Sequence, residues 1–175
     1  MQQSHQTSDA PANASQRNQI AALYVRPLEP SDRAGLAALF TRLSPESRRR
    51  RFLGPKPGLS ARELTYLTAV DHRSYEAMVA VDCRDGSIAG VARYAAISDR
   101  PGAADAALAV ADERQRQGIG TALAGRLIHR ARANGFEVLT ATTLWDNRPA
   151  RALLRRLGFR PCTSQGNVIE LELAL

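Results

Sequence analysis

The sequence predicts an α+β fold with three layers, in which a mixed, mostly antiparallel sheet carries helices on both faces. Apolar segments of strand length follow one another between residues 77 and 110, separated by the turn signals Arg84–Ser87 and Asp99–Gly102, which is typical of an antiparallel meander. Leucine and isoleucine recur at helical spacing through residues 119–131 and 147–157. The resulting order, β-α-α-α-β-β-β-α-β-α-β-β, requires helices on both sides of one sheet.

The first part of the chain predicts one strand and three helices. Leu23–Pro27 is the strand, and the prolines that follow it favour a turn. Ser31 is the expected cap of the first helix, and Pro45 stands at the first position of the second. Ser60 and Glu63 have the spacing of a capping box, which predicts the start of the third helix.

The rest of the chain predicts six strands and two helices. In chain order these are the strands Ala77–Val81, Ile88–Ala96 and Asp105–Val110, a helix from Ile119 to a cap at Gly135, the strand Val138–Thr143, a helix over Asn147–Leu157 that Gly158 stops, and the strands Phe159–Cys162 and Val168–Leu173.

Composition indicates an ordinary globular chain of 175 residues that is 44% hydrophobic and 23% charged. Residues 1–19 are polar and lack the apolar segment of a secretory signal, so we expect a disordered leader followed by a single domain over 20–175. No apolar run approaches the length of a membrane span, and the two cysteines, Cys83 and Cys162, have no metal-ligand spacing. We therefore expect no metal and no membrane contact, free thiols, a cytoplasmic location, and a monomer or homodimer.

The formal net charge of +7 raises the question of nucleic acid binding. Almost all the basic residues are arginines scattered along the chain, and only Arg48–Arg51 form a dense cluster. A solvated helix face with a few ion pairs is the favoured interpretation of that cluster, and no aromatic stacking platform accompanies it. Nucleic acid is thus an unlikely partner.

The segment Ala104–Gly120 has the pattern of a phosphate-binding site. An apolar strand leads through a polar turn and two glycines, Gly118 and Gly120, into a helix. A helix start presents unpaired N–H groups and the positive end of the helix dipole to an anion, and glycines let phosphate oxygens approach the backbone. The sequence has neither the Gly-Lys-Ser/Thr of a P-loop nor the third glycine of a dinucleotide fingerprint, because Leu123 stands there.

The order strand, Q-x-x-G-x-G, helix, strand, D-N-x-x-A, helix, G-F resembles the GNAT acyltransferase superfamily. The similarity covers about Leu23–Leu173. Two further segments, Leu43–Phe52 and Leu59–Thr65, look like bacterial Pat-type protein lysine acetyltransferases within that superfamily.

This resemblance implies an acetyl-CoA site. Leu108, Ala109 and Val110 would hold the pantetheine arm through backbone hydrogen bonds, and Asn147 would touch the cofactor where the fourth and fifth strands separate. The residues implied around the pyrophosphate are Gln115, Arg116, Gly118, Ile119, Gly120 and Thr121.

The resemblance also implies a base, because an acceptor amine with a pKa of about 10.4 must lose a proton before it attacks a thioester. Pat-type enzymes have a glutamate at the start of the strand before the glycine loop, and Asp105 occupies that position. The alternative is that Asp105 is a plain exposed carboxylate. Asp71 and His72 follow the third helix, where a place near the acceptor mouth is one interpretation, but a lone histidine in a loop is more often a surface residue. Asp112 and Glu113 are expected to be solvated turn residues.

A second departure from the family concerns the leaving group. Many members have a tyrosine in the last helix that protonates the thiolate, but Leu154 stands at that position and cannot donate a proton. The hypothesis is direct transfer of acetyl from acetyl-CoA to a primary amine in a ternary complex, with a protein lysine as one acceptor. Acetylation of a small-molecule amine and a non-catalytic acyl-CoA-binding or sensory module remain as alternatives.

Overall fold

The computed structural model describes residues 23–175, so the predicted leader, residues 1–19, lies outside the described residues. The strands are β1 (Leu23–Pro27), β2 (Tyr75–Asp82), β3 (Ile88–Ala96), β4 (Ala103–Val110), β5 (Val138–Leu144), β6 (Arg160–Gln165) and β7 (Val168–Ala174). The helices are α1 (Arg33–Thr41), α2 (Pro45–Phe52), α3 (Ala61–Thr68), α4 (Ile119–Ala133) and α5 (Arg148–Arg156), with short 3-10 turns at Pro30–Asp32 and Asp112–Arg114. None of these five helices is both long enough and apolar enough to cross a membrane.

The seven strands form one sheet in the order β1-β2-β3-β4-β5-β7-β6. Strands β2, β3 and β4 pair antiparallel in sequence, which confirms the predicted meander. Only β4 and β5 run parallel, and the remaining pairs are antiparallel. The predicted fold class, a mixed and mostly antiparallel sheet, is confirmed.

Apolar residues cover both faces of the sheet. On one face α4 packs through Leu123 and Leu127 onto alternate residues of the strands, among them Met78 and Tyr94. On the opposite face α1 packs through Leu36 and Leu39 onto the other alternate set, which includes Val79 and Val91. Burial on both faces explains why β2 reads as a nearly continuous apolar run and not as an alternation.

Of the three helix starts predicted for α1, α2 and α3, the structure confirms the last two. Ser44 accepts from the Ser47 N–H and begins α2, and Ser60 and Glu63 form the predicted capping box of α3. Ser31 does not cap α1, which is a correction. Instead Asp32 accepts from the Glu29 N–H and from Arg26, because a 3-10 turn at Pro30–Asp32 precedes the helix.

Strands β4 and β5 separate partway along their length. They pair only from Ala103–Ala106 to Val138–Ala141, although β4 continues to Val110 and β5 to Leu144. Beyond Ala106, the side of β4 that faces β5 has no strand partner. This separation lies next to the turn that precedes α4, and it positions the candidate site.

Candidate functional site

A cleft of about 1020 Å³ occupies the gap between the separated ends of β4 and β5. Its walls come from α2, from the turn after β4, from the start of α4 and from α5. The predicted residues that line it are Leu108, Ala109, Val110, Gln115, Arg116, Gly118, Gly120, Thr121 and Asn147. The structure therefore brings nearly all of the predicted cofactor residues into one cavity.

The glycine loop has the backbone conformation that the sequence suggested. Gly118 is the residue before α4 and has a φ of 84°, in the left-handed region where glycine is favoured. Arg116, with a φ of 59°, also lies in that region. Among the described residues, the backbone N–H groups of 116 to 121 make no hydrogen bond to another group. They stand at the positive end of the α4 dipole and form a site suited to a diphosphate.

Two predicted residues contribute differently from their neighbours. The side chain of Ile119 is buried in the core with Leu123, so only its backbone N–H faces the loop region. The amide nitrogen of Gln115 donates to the Val110 carbonyl over 3.2 Å, across the end of β4. Gln115 thus holds the loop against the strand in addition to lining the cleft.

The polar lining of the cleft is strongly cationic. Besides Arg116, it includes four arginines that the sequence analysis did not single out as cofactor residues: Arg50, Arg51, Arg114 and Arg156. No aspartate or glutamate is among the described residues that line it. Arg156 reaches from the last turn of α5 and donates to the Thr121 hydroxyl over 2.9 Å at the start of α4. In the sequence, Arg156 is marked as a candidate cofactor residue only by its position in the basic last turn of the helix Arg148–Arg156.

The start of α5 closes one end of the cleft. Asn147 caps this helix, since its side-chain oxygen accepts from the Ala150 N–H over 3.3 Å, and it also lines the cavity. The adjacent Asp146 accepts from Arg49 of α2 over 2.6 Å. This ion pair joins α2 to the loop between β5 and α5. Within Arg48–Arg51, Arg49 and Arg50 form ion pairs as expected, but Arg50 and Arg51 also line the cleft.

Asp105 lies on β4, immediately before the first residue of that strand to line the cleft, Ala106. One of its carboxylate oxygens accepts from the Thr140 hydroxyl over 2.9 Å. The residue is exposed, yet the protein atoms around its carboxylate raise the pKa of Asp105, an effect that the Thr140 hydrogen bond and the charge of Arg51 oppose. A raised pKa favours proton uptake, which is the property a general base needs.

The partly exposed side chain of His72 contacts the α4 face of the sheet and makes no hydrogen bond to Asp105. Its Nδ1 lies 2.8 Å from Glu76, a fully buried carboxylate that also accepts from Arg130 of α4. The Glu76 side chain lies on the face of the sheet that α4 covers. Asp105 lies on the opposite face of the sheet. Asp71 accepts from the N–H groups of Arg73 and Tyr75 in its own turn. Leu154, by contrast, lines the cleft as expected.

Asp112 and Glu113 are exposed turn residues, as expected, but both also bind the segment that leads into α2. Asp112 accepts from the Ser44 N–H over 2.7 Å and from the Ser47 hydroxyl over 2.6 Å, at the start of α2. These hydrogen bonds lower the pKa of Asp112. Glu113 pairs with Arg42 over 2.8 Å. The turn after β4 is thus fastened to α2, and sequence reasoning missed this because the contacts join distant segments.

Known proteins share this architecture. A sequence model described as the acetyltransferase (GNAT) family matches residues 39–159. An acetyltransferase of Pseudomonas aeruginosa is 36% identical over 137 residues, which are 77% of this chain and 73% of that protein. Acetyltransferase Pat of Mycolicibacterium smegmatis is 31% identical over 135 residues, which cover 77% of this chain but only 40% of that protein.

Solved structures show the same fold. The GNAT domain of S. lividans PAT superposes with a TM-score of 0.80 at 26% identity, covering 86% of this chain and 89% of that one. A phosphinothricin acetyltransferase from Sinorhizobium meliloti, solved in complex with acetyl-CoA, superposes with a TM-score of 0.73 at 21% identity, covering 88% and 89%.

Proposed function

The chain belongs to the GNAT family of acetyltransferases, and from this premise we propose that it transfers acetyl from acetyl-CoA to a protein lysine. At the coarser level it is an acetyl-CoA-dependent N-acetyltransferase. The observation that carries the assignment is the arginine-lined cleft at the separation of β4 and β5, which ends at the unpaired N–H groups of the glycine loop. Both features suit a long cofactor with phosphate groups at one end.

The cofactor fits the cleft in one direction. Its diphosphate would bind at residues 115–121, where Arg116 and Arg156 add charge-assisted hydrogen bonds to those of the backbone. Its pantetheine arm would extend along Leu108–Val110, on the side of β4 that β5 leaves unpaired. The thioester would then lie between the two strands, close to the segment of β4 that carries Asp105.

The reaction is a direct transfer in a ternary complex. Asp105 takes a proton from the acceptor ammonium, directly or through a water molecule, and the freed amine attacks the thioester carbonyl carbon. A backbone N–H near Val110 stabilises the oxyanion. The new C–N bond forms, the nitrogen loses its second proton to solvent, the C–S bond breaks, and the electron pair leaves with the CoA sulfur. Since Leu154 cannot donate a proton, the thiolate, with a pKa of about 8.5 as for a free thiol, departs unprotonated and takes a proton from solvent.

The resemblance of Leu43–Phe52 and Leu59–Thr65 to Pat-type protein lysine acetyltransferases supports a protein lysine as acceptor. The two cysteines, Cys83 and Cys162, are exposed free thiols, which supports a reducing cytoplasm as the location.

The assignment is tested by incubating the protein with acetyl-CoA and a panel of proteins, peptides, polyamines and amino acids. Thiol release is followed together with mass spectrometry of the acceptors. We expect release that depends on the acceptor and a gain of one acetyl group on a lysine side chain. Modification of small amines alone would make the protein a small-molecule acetyltransferase. Binding of acetyl-CoA without release on any acceptor would make it a non-catalytic module.

Gly118→Ala is expected to weaken acetyl-CoA binding about tenfold and to lower the free energy of unfolding by about 1–2 kcal/mol. A Cβ is strained at a φ of 84°, and relief of that strain would turn the N–H groups away from the diphosphate. Isothermal titration calorimetry and urea denaturation measure the two effects.

Gly125→Ala is the matched control, because Gly125 lies within α4 and no atom lies within 4 Å of an added Cβ. It should raise stability by about 0.5–1 kcal/mol and leave the affinity unchanged. Equal affinities for the two variants would exclude the glycine loop from the binding site.

A further inference from the structure

Two arginines share the face of the sheet that carries Asp105. Arg93 lies on β3 directly opposite Ala107 of β4, and Arg51 extends from the last turn of α2. Both line a small cavity between the helices and the sheet, and Arg51 also lines the cofactor cleft. Arg93 is only 6% exposed. The two arginines therefore lie on the side of the sheet that carries the proposed base and is covered by the helices α1 to α3.

Neither arginine forms an ion pair with a carboxylate of the described residues, whereas Arg49 pairs with two and Arg114 with one. Arg93 donates to the Tyr75 hydroxyl, a neutral acceptor. Burial and the charge of Arg93 lower the pKa of Arg51 to about 10, while the charge of Asp105 opposes this shift. Buried charges are normally paired, and two guanidinium groups here share one nearby carboxylate that is not hydrogen-bonded to either of them.

These two arginines restrict the acceptor. A lysine ammonium carries a positive charge, and at Asp105 it would meet the charge of Arg51, which acts on Asp105 directly. A polyamine would bring further positive charge to the same place and be repelled. An acceptor with an anionic group beside its amine would meet the opposite situation, because the planar guanidinium fork matches a carboxylate with two hydrogen bonds.

We propose that Arg51 and Arg93 form a subsite for a carboxylate that the acceptor carries near its reacting amine. This inference rests on the proposed function and names the substrate class of the same site. The carboxylate has two sources, an aspartate or glutamate beside the target lysine of a protein, or the α-carboxylate of a free amino acid. Tyr66, which is 62% exposed and stacks on Tyr75 at 5.2 Å between ring centroids, forms an open wall against which the flanking chain can lie.

The test compares acceptors that differ only in the neighbouring charge. Matched peptides with one lysine flanked by glutamate, glutamine or arginine are assayed by thiol release, alongside free lysine and its methyl ester. For the wild type we expect kcat/KM to be about tenfold or more higher with glutamate than with glutamine, and lowest with arginine. A preference for free lysine over its ester would identify the α-carboxylate as the source, and a preference confined to peptides would identify the side chain.

Substitutions of the two arginines test whether they cause the preference for the glutamate peptide. Arg51→Gln and Arg93→Gln should reduce the glutamate-to-glutamine ratio to about one, and Arg93→Lys should retain part of it. Arg62→Gln, which changes an exposed arginine of α3 outside either cavity, should leave the ratio intact. Circular dichroism checks folding. If Arg93→Gln does not fold, the wild-type ratio and Arg51→Gln decide.

Two outcomes overturn the proposal, and they are distinguishable. Thiol release at equal rates from the glutamate and glutamine peptides, and from lysine and its ester, would exclude the carboxylate subsite while leaving the acetyltransferase intact. No release from any acceptor would overturn the proposed function, and the subsite with it.

Discussion

Asp105→Asn is expected to lower kcat about 10²- to 10⁴-fold while the KM for acetyl-CoA changes little. Asparagine keeps the shape of the side chain, and its oxygen can still accept the hydrogen bond from Thr140, but it cannot take a proton from the acceptor. Steady-state kinetics with saturating acceptor measure the loss. Thiol release that survives unchanged would exclude Asp105 as the base.

The same substitution should not destabilise the protein at neutral pH. Because the folded-state pKa of Asp105 is raised above 3.8, the ionised carboxylate costs stability at every pH above that folded value, and the cost disappears below the unfolded value. An uncharged asparagine removes this stability cost. A loss of activity without a loss of stability therefore separates a chemical role from a structural one.

Asp105→Glu supplies the control for position. Glutamate restores the functional group and should recover much of the activity that asparagine loses. The acidic limb of the pH–rate profile of the wild type should lie above the ordinary aspartate value, because the base must be deprotonated and its pKa is raised. A profile with no titration in the acidic range would contradict the assignment.

Glu76→Ala is expected to lower the free energy of unfolding by about 3–5 kcal/mol. The Glu76 carboxylate is fully buried and accepts from three groups: Arg130 Nε at 2.8 Å, His72 Nδ1 at 2.8 Å and the Ala77 N–H at 2.9 Å. Its removal leaves a cavity and takes the anionic partner from Arg130. Urea denaturation followed by circular dichroism measures the change.

Glu172→Gln is the matched control, because Glu172 pairs with Arg100 at the surface. Exposed ion pairs contribute little, and the expected loss is below about 1 kcal/mol. Equal losses for the two variants would show that the Glu76 network contributes no more than a surface pair. Asn134, which donates to the His72 carbonyl, belongs to the same network and holds the end of α4 that lies far from the glycine loop.

The sequence predicts those parts of the fold that depend on local patterns. The turns at Arg84–Ser87 and Asp99–Gly102 predict the meander, and the glycines at the start of α4 predict the candidate anion site, because turn chemistry and helix starts involve neighbouring residues. Ser31 is wrong as a cap, since a 3-10 turn at Pro30–Asp32 competes with a direct helix start.

The pairings between distant segments are not predictable in this way. Arg51 and Arg93 come together only because α2 packs on the face of β3 and β4, and no spacing in the sequence records that contact. Glu76 is an exception, because an acidic residue inside a buried apolar strand requires hydrogen-bond partners elsewhere in the chain.

The separation of β4 from β5 has a consequence for solubility. It gives this sheet a third open edge, at residues 107–110, in addition to the outer edges of β1 and β6. An open edge is a template for the addition of strands from other molecules and a starting point for aggregation. Here residues of α2, α4 and α5 line the cleft beside that edge, so a strand from a second folded chain would have to displace them in order to pair with it. The walls of the cleft thus also obstruct strand addition at this edge.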